Sequence, residues 1–273
     1  MKRLGVAGWP VRHSRSPAMQ NAALAELGLT DWHYQLLPLP PDLFAQTIRA
    51  LPELGFVGVN VTVPHKHAAL ALAADASPAA RAIGAANTLT FEGGQIRADN
   101  TDAPGLIDAL GVDARGLTAQ VLGAGGSARA AVWALARAGA AEVYVWNRTP
   151  SRATELAAAL GASAVHEPRP ADVLVNCTSV GLGATPDAGH PSKGTRQLAE
   201  MGLSLGVLGS YRHVIDLVYS DPPTELTSAA RQLAIHTVDG IDVLAAQGAH
   251  SLALWTGREP PLALMRRAAR GNS

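Results

Sequence analysis

One short run restricts the fold of this chain more than any other: Gly123-Ala124-Gly125-Gly126-Ser127-Ala128-Arg129, set between a β-type run from Ala119 to Leu122 and an Ala-rich helical stretch reaching about Ala138. A further strand, Glu142 to Trp146, follows. Strand, Gly-x-Gly-x-x-Ala turn, helix and strand in this order form a unit suited to a dinucleotide. The first glycine permits the tight turn, the second lets a pyrophosphate reach the backbone, and small Ala128 lets the helix pack on the sheet. Amides at the helix start then attract phosphate. A glycine turn by itself is also a plain connection; the surrounding elements favour the dinucleotide.

The rest of the chain repeats the alternation of short strands and Ala/Leu-rich helices, which points to an α/β fold with a mainly parallel sheet. Strands are expected at Leu4 to Ala7, Trp32 to Leu37, Gly58 to Val63, Asp172 to Asn176, Val214 to Val218 and Ala234 to Val238. Ala86 to Phe91 and Gln95 to Ala98 flank Glu92-Gly93-Gly94, a hairpin signal. Helices are expected from Ser16, read as an N-cap, through Leu27 to the stop at Gly28, and over Phe44 to Leu51, His67 to Ala74, Asp242 to Trp255 and Pro261 to Ala269. Thr149 is placed to cap a helix that opens with Pro150. The Gly-, Ser- and Pro-rich stretch from Leu182 to Tyr211 gives no clear period.

Twenty-two basic residues balance 22 acidic ones, so there is no basic field and no nucleic-acid partner is expected. The apolar run after Lys2 and Arg3 is broken at Pro10 and Arg12, too early for a signal peptide, and no apolar run is long enough to cross a bilayer. A single cysteine, Cys177, excludes an internal disulfide; no metal site is expected, and a reducing cytoplasm is the natural compartment. Monomer and homodimer remain open.

The cofactor reading sharpens after Trp146. An NAD site usually carries an acid at the end of this strand, to hold the ribose hydroxyls. Here the run is Asn147-Arg148-Thr149-Pro150-Ser151-Arg152. Guanidinium groups bind a 2′-phosphate that a carboxylate would repel. Arg148 and Arg152, with polar contacts from Asn147 and Thr149, therefore favour NADP, against the plainer reading of an exposed turn.

Polar groups in the first half collect at strand ends and helix starts: Ser14, Ser16, Asn60, Thr62, Lys66, Asn87 and Asp102. Each has an ordinary explanation. Ser16 or Asp102 can cap a helix, Thr62 suits any strand, and Lys66 can be a solvated lysine. Together they describe a site for a small, oxygen-rich ligand with one lysine and one carboxylate as its strong acid/base groups.

These residues lie within longer motifs: Gly8-Trp9-Pro10-Val11-Arg12-His13-Ser14-Arg15-Ser16-Pro17, Gly58-Val59-Asn60-Val61-Thr62-Val63-Pro64-His65-Lys66, Ile83-Gly84-Ala85-Ala86-Asn87-Thr88 and Asn100-Thr101-Asp102. Further along stand the glycine turn, Asn147-Arg148-Thr149, Asn176-Cys177-Thr178-Ser179-Val180-Gly181, Asp216-Leu217-Val218-Tyr219 and Gln247-Gly248. In this order, over nearly the whole chain, they resemble the shikimate/quinate dehydrogenase family. The resemblance implies a substrate-binding domain (residues 1–103 plus 241–273), a Rossmann NADP-binding domain (104–240), a cleft between them and C-terminal helices returning to the first domain. It implies reversible NADPH-dependent reduction of 3-dehydroshikimate to shikimate, in the route to aromatic amino acids. Ser14, Ser16 and Tyr219 would meet the substrate carboxylate, and Asn60, Thr62, Lys66, Asn87, Asp102 and Gln247 the ring oxygens. Thr178, Val218 and Gly240 would lie near the nicotinamide. Three departures stand out: Val243 where the family often has Met, a longer segment over 182–213, and no Asn-Pro-Leu run within Ser220 to Thr227.

Within that scheme the reduced carbonyl oxygen needs a proton, and Lys66 is the cationic donor of the motif set, oriented by Asp102. Two alternatives remain: a quinate/shikimate dehydrogenase using NAD, against which the arginine pair argues, and a non-catalytic NADPH-binding sensor, against which Lys66 and Asp102 argue.

Overall fold

The structure, a computed structural model, describes residues 1–182 and 196–271. The chain divides into two compact units, one formed by Met1–Gly105 with the stretch from Leu244 onward, the other by Leu106–Val243.

The first unit contains β1 (Lys2–Gly8), α1 (Ser16–Glu26), β2 (Trp32–Pro38), α2 (Pro41–Ala50), β3 (Phe56–Val61), α3 (Lys66–Leu72), β4 (Asp75–Ala76), α4 (Pro78–Ile83), β5 (Thr88–Glu92) and β6 (Gln95–Asp99), and the start of α5 (Asp102–Leu110). Its sheet runs β2-β1-β3-β5-β6-β4. β1 is parallel to β2 and β3, and the hairpin β5–β6 enters antiparallel to β3. Prolines in the first turn open α1, α2 and α4, where a missing N–H costs nothing. Phe44, Ile48, Val59, Val61 and Leu89 fill one face of this sheet.

The second unit contains β7 (Thr118–Leu122), α6 (Gly126–Arg137), β8 (Glu142–Trp146), α7 (Pro150–Leu160), β9 (Ser163–Ala164), β10 (Val173–Asn176), α8 (Arg196–Glu200), α9 (Leu205–Leu208), β11 (His213–Asp216), α10 (Glu225–Gln232) and β12 (His236–Val238). All strands of its sheet, ordered β12-β11-β10-β7-β8-β9, are parallel. This doubly wound order reverses between β7 and β10, where such sheets bind dinucleotides beyond the carboxyl ends of the strands. Then come α11 (Gly240–Thr256), which belongs to the first unit from Leu244, and α12 (Leu262–Arg270), which packs on α1. Trp255 of α11 lies where a side chain on Gly58 would stand and donates its indole N–H to the Leu89 carbonyl at 3.1 Å. No helix among the described residues is long and apolar enough to cross a membrane.

Several boundaries differ from the sequence reading, and most of the shifts move a polar residue. Arg15, not Ser16, holds the N-cap position of α1; Ser16 is the first helical residue, and its N–H donates to Ser14 Oγ at 3.2 Å. β3 stops at Val61, so Thr62 lies beyond the strand. Lys66 opens α3 and Asp102 opens α5, while Asn100 Oδ1 takes the capping contact from the Ala103 N–H at 3.2 Å. Thr149 occupies the N-cap position of α7 but makes no side-chain cap bond. β11 ends at Asp216, leaving Val218 on the connection that follows. β12 starts at His236, because Ala234 turns with φ 57°. Of the unread stretch 182–211, residues 183–195 fall outside the described residues; beyond them Leu198, Met201, Leu203, Leu208 and Tyr211 are buried in the second core.

Candidate active site

In the first unit the ends of β3, β5 and β6 and the starts of α3 and α5 converge with α11. Lys66 Nζ meets Asp102 Oδ2 at 2.5 Å, with side chains 10% and 18% exposed. The pair is shielded enough to gain Coulomb energy that a surface pair would lose, so removing either member strands a charge. The other carboxylate oxygen, Oδ1, accepts from Asn87 Nδ2 at 2.9 Å. Asn87 Nδ2 also faces Thr101 Oγ1 at 3.0 Å and Gln247 Oε1 at 3.1 Å, so two N–H bonds are shared among three acceptors. Asn87 Oδ1 is fixed by the Thr101 N–H at 2.7 Å. Lys66, Asp102, Asn87 and Gln247 thus form one connected set held by bonds within the protein.

Beneath it lies a buried hydroxyl cluster. Ser251 Oγ is 3.0 Å from both Thr88 Oγ1 and Thr101 Oγ1. Asn60 closes the base: its Nδ2 donates to Ser251 Oγ at 2.8 Å and Thr88 Oγ1 at 3.1 Å, and its Oδ1 accepts from Tyr34 Oη at 2.8 Å. Both ends of the Asn60 amide therefore face protein groups, which fits a residue that holds the set in place better than one that meets ring oxygens. Thr62 presents its methyl to the notch left by Gly8, where a Cβ would come within 2.4 Å. Ser14 Oγ accepts from Ser16, and no side-chain hydrogen bond to another described residue engages the Ser16 or Thr62 hydroxyl. Next to Lys66, His65 stacks on Phe44 at 4.2 Å and its Nε2 meets the Leu39 carbonyl at 2.7 Å. Burial pulls its pKa below the usual imidazole range, and the bond to Leu39 opposes this.

In the second unit Gly123 adopts φ +107°, and a Cβ there would stand 3.1 Å from the Cys177 carbonyl, so both conformation and close approach require glycine. Its neighbour across this contact is Thr178, whose N–H and hydroxyl both donate to Asn176 Oδ1, at 3.0 and 2.7 Å. Nothing lies within 4 Å of a Cβ placed on Gly125. That open space, with the N-terminal amides of α6 behind it, fits a pyrophosphate. Gly126, Ser127 and buried Ala128 form the first turn of α6. Asn147 Nδ2 ties back to the Thr149 carbonyl at 2.9 Å, while Arg148 and Arg152 are exposed and pair with no carboxylate among the described residues. This is a donor set fit for a 2′-phosphate. Gly240 lies against Leu217 and Val218, where a Cβ would reach the Leu217 carbonyl oxygen at 2.6 Å, which brings Gly240 and Val218 together; Tyr219 follows, half-buried.

Sequence reasoning missed Thr88, Thr101 and Ser251 in the first unit, and the Asp216–Asn176–Thr224 cluster in the second. Thr88 and Thr101 were adjacent to chosen residues, and Ser251 stands four residues after Gln247 on one helix face, its Oγ bonded to the Gln247 carbonyl at 3.1 Å.

A Rossmann unit with an NADP-type donor set, joined to a mixed α/β unit with a shielded lysine–carboxylate pair, defines a two-domain nicotinamide-dependent oxidoreductase. Residues 6–89 match the family model of the shikimate dehydrogenase substrate-binding domain, residues 108–179 that of shikimate/quinate 5-dehydrogenase, and residues 240–270 that of the shikimate 5′-dehydrogenase C-terminal domain. The chain is 42% identical over 282 residues to a shikimate dehydrogenase (NADP(+)) of Geobacter sulfurreducens, covering 96% of this chain and 94% of that one. Shikimate 5-dehydrogenase of Thermus thermophilus, solved in complex with NADP(H) and shikimate, is similar with a TM-score of 0.86 and 39% identity over 100% of both chains. A 5-ketofructose reductase of a Gluconobacter species shares the fold with a TM-score of 0.83 and 29% identity, over 99% of this chain and 98% of that one. The chain belongs to the shikimate dehydrogenase family.

Proposed function

We propose that this protein catalyses the reversible NADPH-dependent reduction of 3-dehydroshikimate to shikimate, in a reducing cytoplasm. The observation that carries the proposal is the connected set Lys66–Asp102–Asn87–Gln247, an acid/base pair fused to amide groups suited to ring hydroxyls. NADPH, when bound, would supply the hydride for the C3 carbonyl carbon. Lys66 Nζ donates a proton to the oxygen of that carbonyl and offsets the charge developing there. Asp102 Oδ2 holds Lys66 and, with Asn87 and Gln247, orients the ring hydroxyls. Ser14 and Ser16, with Tyr219, hold the substrate carboxylate, and Thr62 adds a hydroxyl. Asn60 supports this set from below. Gly123 to Ala128 take the pyrophosphate, Asn147, Arg148, Thr149 and Arg152 the 2′-phosphate end, and Thr178, Val218 and Gly240 the nicotinamide.

The test is the initial rate of NADP+ and NAD+ reduction with shikimate and with quinate. Saturable NADP+ reduction by shikimate supports the proposal. A preference for quinate with NAD+ would instead assign the broader quinate/shikimate activity, and tight NADPH binding without turnover would assign a sensor.

A further inference from the structure

The carboxyl ends of β10 and β11 carry a group that the proposed reaction does not use. Asp216, the last residue of β11, is fully buried. Its Oδ1 accepts from Asn176 Nδ2 at 2.8 Å and the Val218 N–H at 3.1 Å; its Oδ2 faces the hydroxyls of Thr224 at 2.6 Å and Thr227 at 3.4 Å. Burial pushes the carboxyl above its ordinary range, and these bonds pull it only part of the way back. The short Thr224 contact is typical of a hydroxyl bonded to a charged carboxylate. No lysine, arginine or histidine pairs with it among the described residues. An anion held only by dipoles leaves its charge largely uncancelled, and water screens it poorly.

Its position matters because of what it holds. Asn176, bonded to Asp216 on one side, fixes Thr178 on the other. Val218 is bonded to Asp216 directly, and Gly240 packs on Val218. In a doubly wound sheet the two halves of a dinucleotide lie on either side of the reversal point. With the 2′-phosphate donors beyond β8, the nicotinamide half would fall beyond β10 and β11, on the side of this cluster.

We propose that Asp216 sets the relative affinity of the second unit for the two redox forms of its cofactor, favouring the oxidised nicotinamide, which carries a positive charge, over the neutral reduced ring. The inference rests on reading this unit as an NADP site. Asp216 touches no reacting atom; it acts through its charge and through the two turns that it ties.

The test is calorimetric measurement of the dissociation constants of NADP+ and NADPH, without substrate, for the wild type, Asp216→Asn and Thr224→Val. Asp216→Asn keeps the shape and removes the charge. It is expected to weaken NADP+ relative to NADPH by roughly three- to tenfold. Thr224→Val loses one bond to the carboxylate, together with the α10 cap bond from the Thr227 N–H, and keeps the charge, so both constants should move together, within about twofold. Equal weakening of both forms by Asp216→Asn, or a ratio change in Thr224→Val as large as in Asp216→Asn, overturns the proposal and leaves a purely structural role. Should Asp216→Asn fail to fold, the wild type alone decides: it is expected to bind NADP+ at least as tightly as NADPH, and a tenfold or greater preference for NADPH contradicts the proposal. A wild type that binds neither form defeats the NADP reading itself, a separate outcome.

Discussion

The two units present functional groups in opposite states. In the first, Asp102, Asn87 and Asn60 bond to one another or to Lys66, Tyr34, Thr88 and Ser251. In the second, the groups assigned to the cofactor's phosphates are open: a Cβ on Gly125 would meet nothing within 4 Å, and Arg148 and Arg152 extend outward without carboxylate partners among the described residues. A network whose internal bonds are already made fixes angles, and it suits recognition of a rigid ring whose hydroxyls differ only in position. Guanidinium groups without carboxylate partners on an open turn suit selection by charge. On the proposed roles, substrate choice would depend on connectivity and cofactor choice on a local charge count. Substitutions should therefore spread their effects in the first unit and stay local in the second.

The largest expected effect tests the connected side. Lys66→Ala should lower kcat by about 10²- to 10⁴-fold with a smaller change in KM, read by steady-state kinetics. A raised KM with near-normal kcat would make Lys66 a binding group. On the open side, Arg148→Ala combined with Arg152→Ala should weaken NADPH roughly 10- to 100-fold while leaving NADH within about threefold. Equal losses for both cofactors would remove the 2′-phosphate role. Returning to the network, Asn87→Ala leaves Asp102 Oδ1 without its donor and Gln247 Oε1 with only the long 3.5 Å contact from Thr101 Oγ1, and should cost about 1–3 kcal/mol in urea unfolding. Combined with Ser251→Ala its effect should be non-additive, whereas Arg148→Ala and Asn87→Ala should add. Additivity within the network would deny the connectivity.

The smallest effect is in pH. Burial holds His65 below its unfolded value, so the unfolded chain binds the extra proton first. The stability tied to neutral His65 is present above the unfolded pKa and is lost as pH falls through the folded one. The Tm should therefore drop between about pH 7 and pH 5, and His65→Phe should flatten part of that slope. An unchanged slope would show that His65 is not the group responsible.

The open side was the more legible in sequence. The Gly123 turn and the acid missing after Trp146 are local signals, each read within a few residues, and the structure places Gly123 at the positive φ that the turn required. The connected side was legible only as a set of residue types. Asn60 was readable as a polar strand residue, but its bonds to Ser251 and Tyr34 span 191 and 26 residues, which no local pattern displays. Asp216 sat in a recognised motif, yet its role depends on Thr224 and Asn176 arriving from other elements. α10 was missed although Thr224 caps it, because its eight residues give too short a period to stand out.

The most direct test of this division crosses two substrates with two cofactors: kcat/KM for shikimate and quinate, each with NADP+ and NAD+, in the wild type and in the Arg148→Ala, Arg152→Ala variant. Shikimate with NADP+ should be the fastest combination in the wild type. The variant should lose the NADP+ preference while its shikimate-to-quinate ratio stays within about twofold. A substrate ratio that shifts as far as the cofactor ratio, or a wild type that does not turn over shikimate, would contradict it.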